Sequence, residues 1–68
     1  MTVWELMKKM GKYEKFHIQE GTVDVTKGEP TSVEEIECFW DDRESVFDAL
    51  EYEAVSVDLE RNVIYCRR

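Results

Sequence analysis

Apolar positions follow a helical period at the start of the chain and then change to alternation. Val3, Leu6, Met7 and Met10 stand at i, i+3, i+4 and i+7, which predicts a helix over about Val3 to Met10. Thr2 and Glu5 fit a capping box, in which hydroxyl and carboxylate satisfy the free N–H groups at a helix start. Gly11 suits a left-handed helix end, and Lys8, Lys9 and Lys12 put cations where the dipole favours them.

From Lys15 the period becomes two. "KFHIQEG" places Phe16 and Ile18 on one face and His17 and Gln19 on the other, a half-buried strand closed by Gly21. "TVDVT" continues the alternation through Val23 and Val25, so the two segments form a hairpin or one bent strand. "KGEP", residues 27–30, reads as a turn. In "SVEEIECFWD" two signals compete. Ser32 and Glu35 have the spacing of a capping box, yet Ile36, Cys38 and Trp40 alternate and favour a strand over Ile36 to Trp40. Asp41 or Asp42 then caps a helix through "RESVFDALEY" that buries Val46, Phe47 and Leu50. "AVSVDL" and "VIYC" flank "ERN" as a terminal hairpin, with Val55, Val57 and Leu59 on one face and Asn62 left-handed in the loop. The expectation is a single α+β domain over residues 1–68: a small antiparallel sheet of three to four strands with two helices packed on one face.

Length and composition narrow the function classes. A domain of 68 residues buries only about 60% of its unfolded surface, so its stability is marginal. Hydrophobic content of 43% excludes a disordered acidic tail. No apolar run approaches the roughly 20 residues of a membrane span, and the opening residues do not form a secretory signal. A cytoplasmic protein with two reduced thiols, Cys38 and Cys66, is expected, with no membrane partner. The net charge of −7 is unevenly placed, because residues 29–60 hold twelve acids against Arg43 alone. That balance opposes direct nucleic-acid binding and favours a protein partner with a basic surface.

Catalytic and metal chemistry find few residues to work with. A Cys–His nucleophile pair needs His17 beside Cys38 or Cys66, but alternation puts His17 opposite the core while the thiols pack as small hydrophobes. Closely spaced zinc-ligand pairs are missing, and "DDRE" lacks the loop pattern and glycine of a calcium site. No Gly-rich phosphate loop is present, and a chain this short has little material for a pocket. The expectation is a non-enzyme without metal or cofactor. The acidic residues Glu34, Glu35, Glu37, Asp41, Asp42, Glu44, Asp48, Glu51 and Glu53 are either a solubilising surface or, with Trp40 as anchor, a partner-binding one. A homodimer formed through an exposed sheet edge is the alternative.

The opening "MTVWELMKKMGKY", followed by "FHI", a charged middle and a closing "VSVDLERNVIYC", resembles small accessory proteins of phages and other mobile elements in Firmicutes-type bacteria. Such proteins often begin T-V-x-E-L and end in a β-hairpin. The resemblance implies a small cytosolic accessory protein, and inhibitors of host defence such as anti-CRISPR proteins are among the roles it admits. It assigns no functional residue here.

Overall fold

The computed structural model describes all 68 residues, and three helices and a four-stranded mixed sheet make up the α+β fold. Helix α1, Val3–Met10, matches the expected bounds. Thr2 Oγ1 accepts the Glu5 N–H at 3.1 Å and Glu5 Oε1 accepts the Thr2 N–H at 2.9 Å, so both halves of the capping box form. Gly11 ends the helix at φ 135° and ψ 139°, a glycine-favouring conformation more extended than the left-handed helical one expected.

Strands β1, His17–Glu20, and β2, Val23–Asp24, form the hairpin, with Gly21 at φ 58° in its turn. Helices α2, Val33–Glu37, and α3, Glu44–Ala49, follow, and then β3, Glu53–Asp58, and β4, Val63–Arg67. The strand order is β2-β1-β4-β3. Two pairings are antiparallel, but the central one is parallel, aligning Ile18 with Ile64 and Glu20 with Cys66. A parallel pair requires a crossover, here supplied by α2, α3 and β3.

The expected strand at Ile36–Trp40 is replaced by α2. Ser32 Oγ accepts the Glu35 N–H at 3.2 Å, so the capping signal wins over the alternation. The alternation in the terminal hairpin is also interrupted. A β-bulge between Ala54 and Ser56 leaves Val55 58% exposed and sets Ala54 opposite Cys66 and Val57 opposite Ile64, while Leu59, past the end of β3 at Asp58, lies in the turn and is exposed. Asn62 takes the left-handed turn conformation at φ 53°.

One apolar cluster joins the layers. Phe16, Ile18, Ile64 and Cys66 from the sheet meet Val3 and Met7 of α1, Val33 and Ile36 of α2, and Val46 and Ala49 of α3. Each full burial of such a side chain contributes roughly 1.5–3 kcal/mol before the entropy of ordering is set against it. Phe47, expected inside, is 37% exposed, because Val46, Ala49 and Leu50 already supply the inward stripe of so short a helix.

Candidate functional site: an acidic aromatic corner

Helix α2 ends in an unusual way. Trp40 N–H donates to the Glu35 carbonyl at 2.9 Å and Phe39 N–H to the Ile36 carbonyl at 3.2 Å. This is the Schellman pattern, in which the residue after the C-cap turns left-handed and is usually glycine. Here it is Phe39 at φ 59°. A β-carbon in that conformation costs roughly 1–2 kcal/mol. The next residue of the motif usually folds an apolar side chain back onto the helix. Trp40 does not, and lies 71% exposed beside Phe39 at 82%. Strain and solvent exposure together display two large aromatics where burial would be the stable choice.

Arg43 fixes the connection from Trp40 into α3. Its Nε donates to Asp41 Oδ1 at 3.0 Å and its Nη2 to Asp41 Oδ2 at 2.8 Å, a bidentate pair. Nη1 and Nη2 also donate to the carbonyls of Thr26 and Glu29, and the Arg43 N–H returns to Asp41 Oδ1 at 3.1 Å. The guanidinium therefore ties the 24–30 loop to the α2–α3 connection. Hydrogen bonding from Arg43 holds the Asp41 carboxyl down at about 2, against the opposing effect of burial. The loop has its own organiser. The Asp24 carboxylate accepts from the N–H groups of Thr26, Lys27 and Gly28 and from the Thr26 hydroxyl at 2.6 Å, and its pKa is lowered, chiefly by that hydroxyl. Thr26 Oγ1 in turn accepts the Ile18 N–H at 3.2 Å, anchoring the loop to the sheet.

A cleft of about 450 Å³ opens between this loop and Trp40, bounded by Gly28, Glu29 and Pro30 on one side and Asp42 and Arg43 on the other. A second, shallower cleft of about 570 Å³ lies between Trp4 at the start of α1 and Phe47, Leu50 and Glu51 at the end of α3.

The acidic residues divide by partner. Asp41, expected on the binding surface, is only 6% exposed and belongs to the Arg43 latch, because its carboxylate turns inward to the Arg43 guanidinium and backbone N–H. Arg43 itself is the N-cap of α3, without a side-chain cap bond, so neither Asp41 nor Asp42 caps that helix as expected. Glu35 pairs with Lys15 at 3.1 Å, Glu37 with Lys12 at 3.8 Å and Glu53 with Arg67 at 2.7 Å. Glu34, Asp42, Glu44, Asp48 and Glu51 make no ion pair. Glu44 and Asp48 stand at i and i+4 on α3, about 6 Å apart along its axis, with exposed Phe47 beside them, and exposed Glu51 follows in the turn after the helix. Sequence reasoning passed over Phe39, Glu29 and Pro30. The Ser32–Glu35 spacing was the available signal for the first, since a helix starting there must end near Phe39.

The sulfur and imidazole groups are dispersed. Cys38 is exposed at the corner, contrary to expectation, because α2 turns it outward as C-cap. Cys66 is buried, and its thiol pKa is raised by that burial and then by Glu20. His17 and Cys66 point to opposite faces of the sheet, as alternation requires. No three His, Cys, Asp or Glu side chains converge at metal-ligand spacing, and no helix is long and apolar enough to cross a membrane. Comparison of the chain with protein-family models, with curated proteins and with solved structures finds no match.

Proposed function

We propose that this chain is a non-enzymatic binding protein that engages a basic protein surface through its acidic segment, as an accessory protein of phage or mobile-element type. The carrying observation is the set of carboxylates left without cations: Glu34 on α2 and, after Trp40, Asp42, Glu44, Asp48 and Glu51. Arg43 is the sole cation between residues 29 and 60, and its charge is neutralised inside the latch. The outward field is therefore negative and unscreened by local ion pairs, which raises the rate of encounter with cationic surfaces. A basic surface evolved for nucleic acid fits this field, and competitive inhibition of a nucleic-acid-binding host protein is the corresponding mode of action.

A homodimer through β3 has less support. Its free edge carries the Val55 bulge, which disrupts edge pairing. Antiparallel pairing of two copies about Val55 and Ser56 would also bring Glu53 opposite Asp58 of the second copy.

Immobilised protein exposed to a bacterial lysate at roughly 0.05 M and 0.5 M salt tests the reading. The expected result is capture of a nucleic-acid-binding protein at low salt only. Capture should fail with the variant D42N/E44Q/D48N/E51Q, and the captured protein should lose its nucleic acid when the wild-type chain is added. Equal capture by the neutralised variant would remove the acidic segment from the mechanism.

A further inference from the structure

The cleft beside Trp40 has a composition that selects its occupant. Glu29, Glu35, Asp41 and Asp42 bring four carboxylates to it, against Lys15 and Arg43. Both cations are engaged, Lys15 by Glu35 and Arg43 by Asp41 and two backbone carbonyls, so an anion finds no free cation to pair with. Glu29 and Asp42 have no ion-pair partner. Trp40 is the one large apolar side chain in the lining, too little for a hydrophobic ligand but sufficient for one face of a planar cation.

We infer that this cleft receives a single arginine side chain of the basic partner, its guanidinium stacked on the Trp40 indole and hydrogen-bonded to Asp42 and Glu29. Arginine fits better than lysine because its plane stacks on an aromatic face while its edge donors reach carboxylates on either side. The loop and corner that form the cleft are already joined by Arg43, so the site is pre-organised and little ordering is needed on binding. The inference rests on the proposed binding of a basic protein, and it names the contact that would give that binding specificity beyond charge.

The two tryptophans make the test internal. The chain is titrated with the peptide acetyl-Gly-Arg-Gly-amide while both indole N–H resonances are followed by NMR. Trp4, on α1 with the Lys8 ammonium 5.6 Å from its ring centroid, serves as reference. The expected result is a saturable shift at Trp40 with Trp4 unmoved, a dissociation constant raised roughly fivefold to tenfold in D42N, and weaker binding of the lysine peptide. The citrulline peptide, which has the shape of arginine without its charge, should leave Trp40 unshifted. An equal response to citrulline, parallel movement of Trp4, or no saturable shift would each overturn the arginine site. The backbone amide spectrum of D42N confirms that the variant is folded, since Asp42 is exposed and outside the core.

Failure here is separable from failure of the broader reading. If D42N/E44Q/D48N/E51Q loses its partner while the arginine peptide leaves Trp40 unshifted, the acidic binding mode stands and the arginine site falls. If that variant keeps its partner while the peptide saturates Trp40, the cleft binds arginine but the acidic segment does not carry the interaction.

Discussion

The ends of α1 and α2 perform the same geometric task with opposite residues. Each helix is followed by a position with positive φ, Gly11 after α1 and Phe39 after α2. At Gly11 no side chain opposes the turn, and a β-carbon there would meet only Glu14 Cγ at 3.5 Å, so the cost of any other residue is backbone strain. At Phe39 that cost is accepted, and the residue so placed buries almost nothing. The first end serves stability alone. The second leaves an aromatic residue strained and in solvent beside unpaired carboxylates, at the corner where the proposed partner would dock.

Four variants and one condition would break or sharpen this contrast. Removing the latch has the largest expected effect. Arg43→Met leaves the buried Asp41 carboxylate unpaired and should destabilise the fold by about 3 kcal/mol, measured by urea unfolding at neutral pH. Acid acts on the same pair. The Asp41 pKa lies at about 2 when folded against 3.8 for an ordinary aspartate, so the unfolded chain binds the proton first on acidification. The stabilisation is complete above pH 4 and is lost as pH falls toward 2, on the order of 2 kcal/mol. Unfolding curves across that range should show the loss in the wild type and a smaller one in Arg43→Met.

The helix ends themselves come next. Gly11→Ala should destabilise by about 1–2 kcal/mol, whereas Phe39→Gly should stabilise by about 0.5–1 kcal/mol as relief of strain outweighs the greater freedom of the unfolded chain. Thermal melts of the two variants displaced in the same direction would erase the distinction between support and site. Trp40→Ala has the smallest effect on folding, within about 0.5 kcal/mol by urea titration, because its side chain is mostly in water already. A large loss would show that Trp40 supports the fold.

The elements legible in the sequence are those whose signals are local and undisputed. Thr2, Glu5 and the Val3, Met7 and Met10 spacing defined α1 because cap and period agree. Phe16 and Ile18 marked β1 because the alternation runs without interruption there. Helix α2 was obscured because five residues cannot display a helical period, while Ile36, Cys38 and Trp40 happen to alternate past its end. The outward turn of Val55 had no local signal, since a bulge adds one residue without requiring glycine or proline. The parallel pairing of β1 and β4 was invisible for a different reason. Parallel register depends on what the crossover packs against, and no turn residue records it.

Of the acidic surface, the sequence identified the charges but not their pairing. Glu35, Glu37 and Asp41 look equivalent to Asp42 and Glu44 along the chain, and only the fold brings Lys15 and Lys12 against the first two and turns Arg43 to Asp41 rather than to its immediate neighbours. The cleft at Trp40 was likewise unreadable, because the 24–30 loop that completes it reaches the corner through backbone carbonyls common to every residue type.

The parallel register of β1 and β4 also governs how the fold is reached. Ile18 must find Ile64, and β1 otherwise pairs only with the two residues of β2. Closing so long a loop is entropically unfavourable until the helices between them have condensed, so nucleation is non-local and the chain should fold more slowly than a helical bundle of its size. Neither end of the molecule can keep the sheet without the other, and unfolding should be all-or-none. The strained corner therefore has no cooperative unit of its own. It remains ordered for as long as the two central strands stay joined.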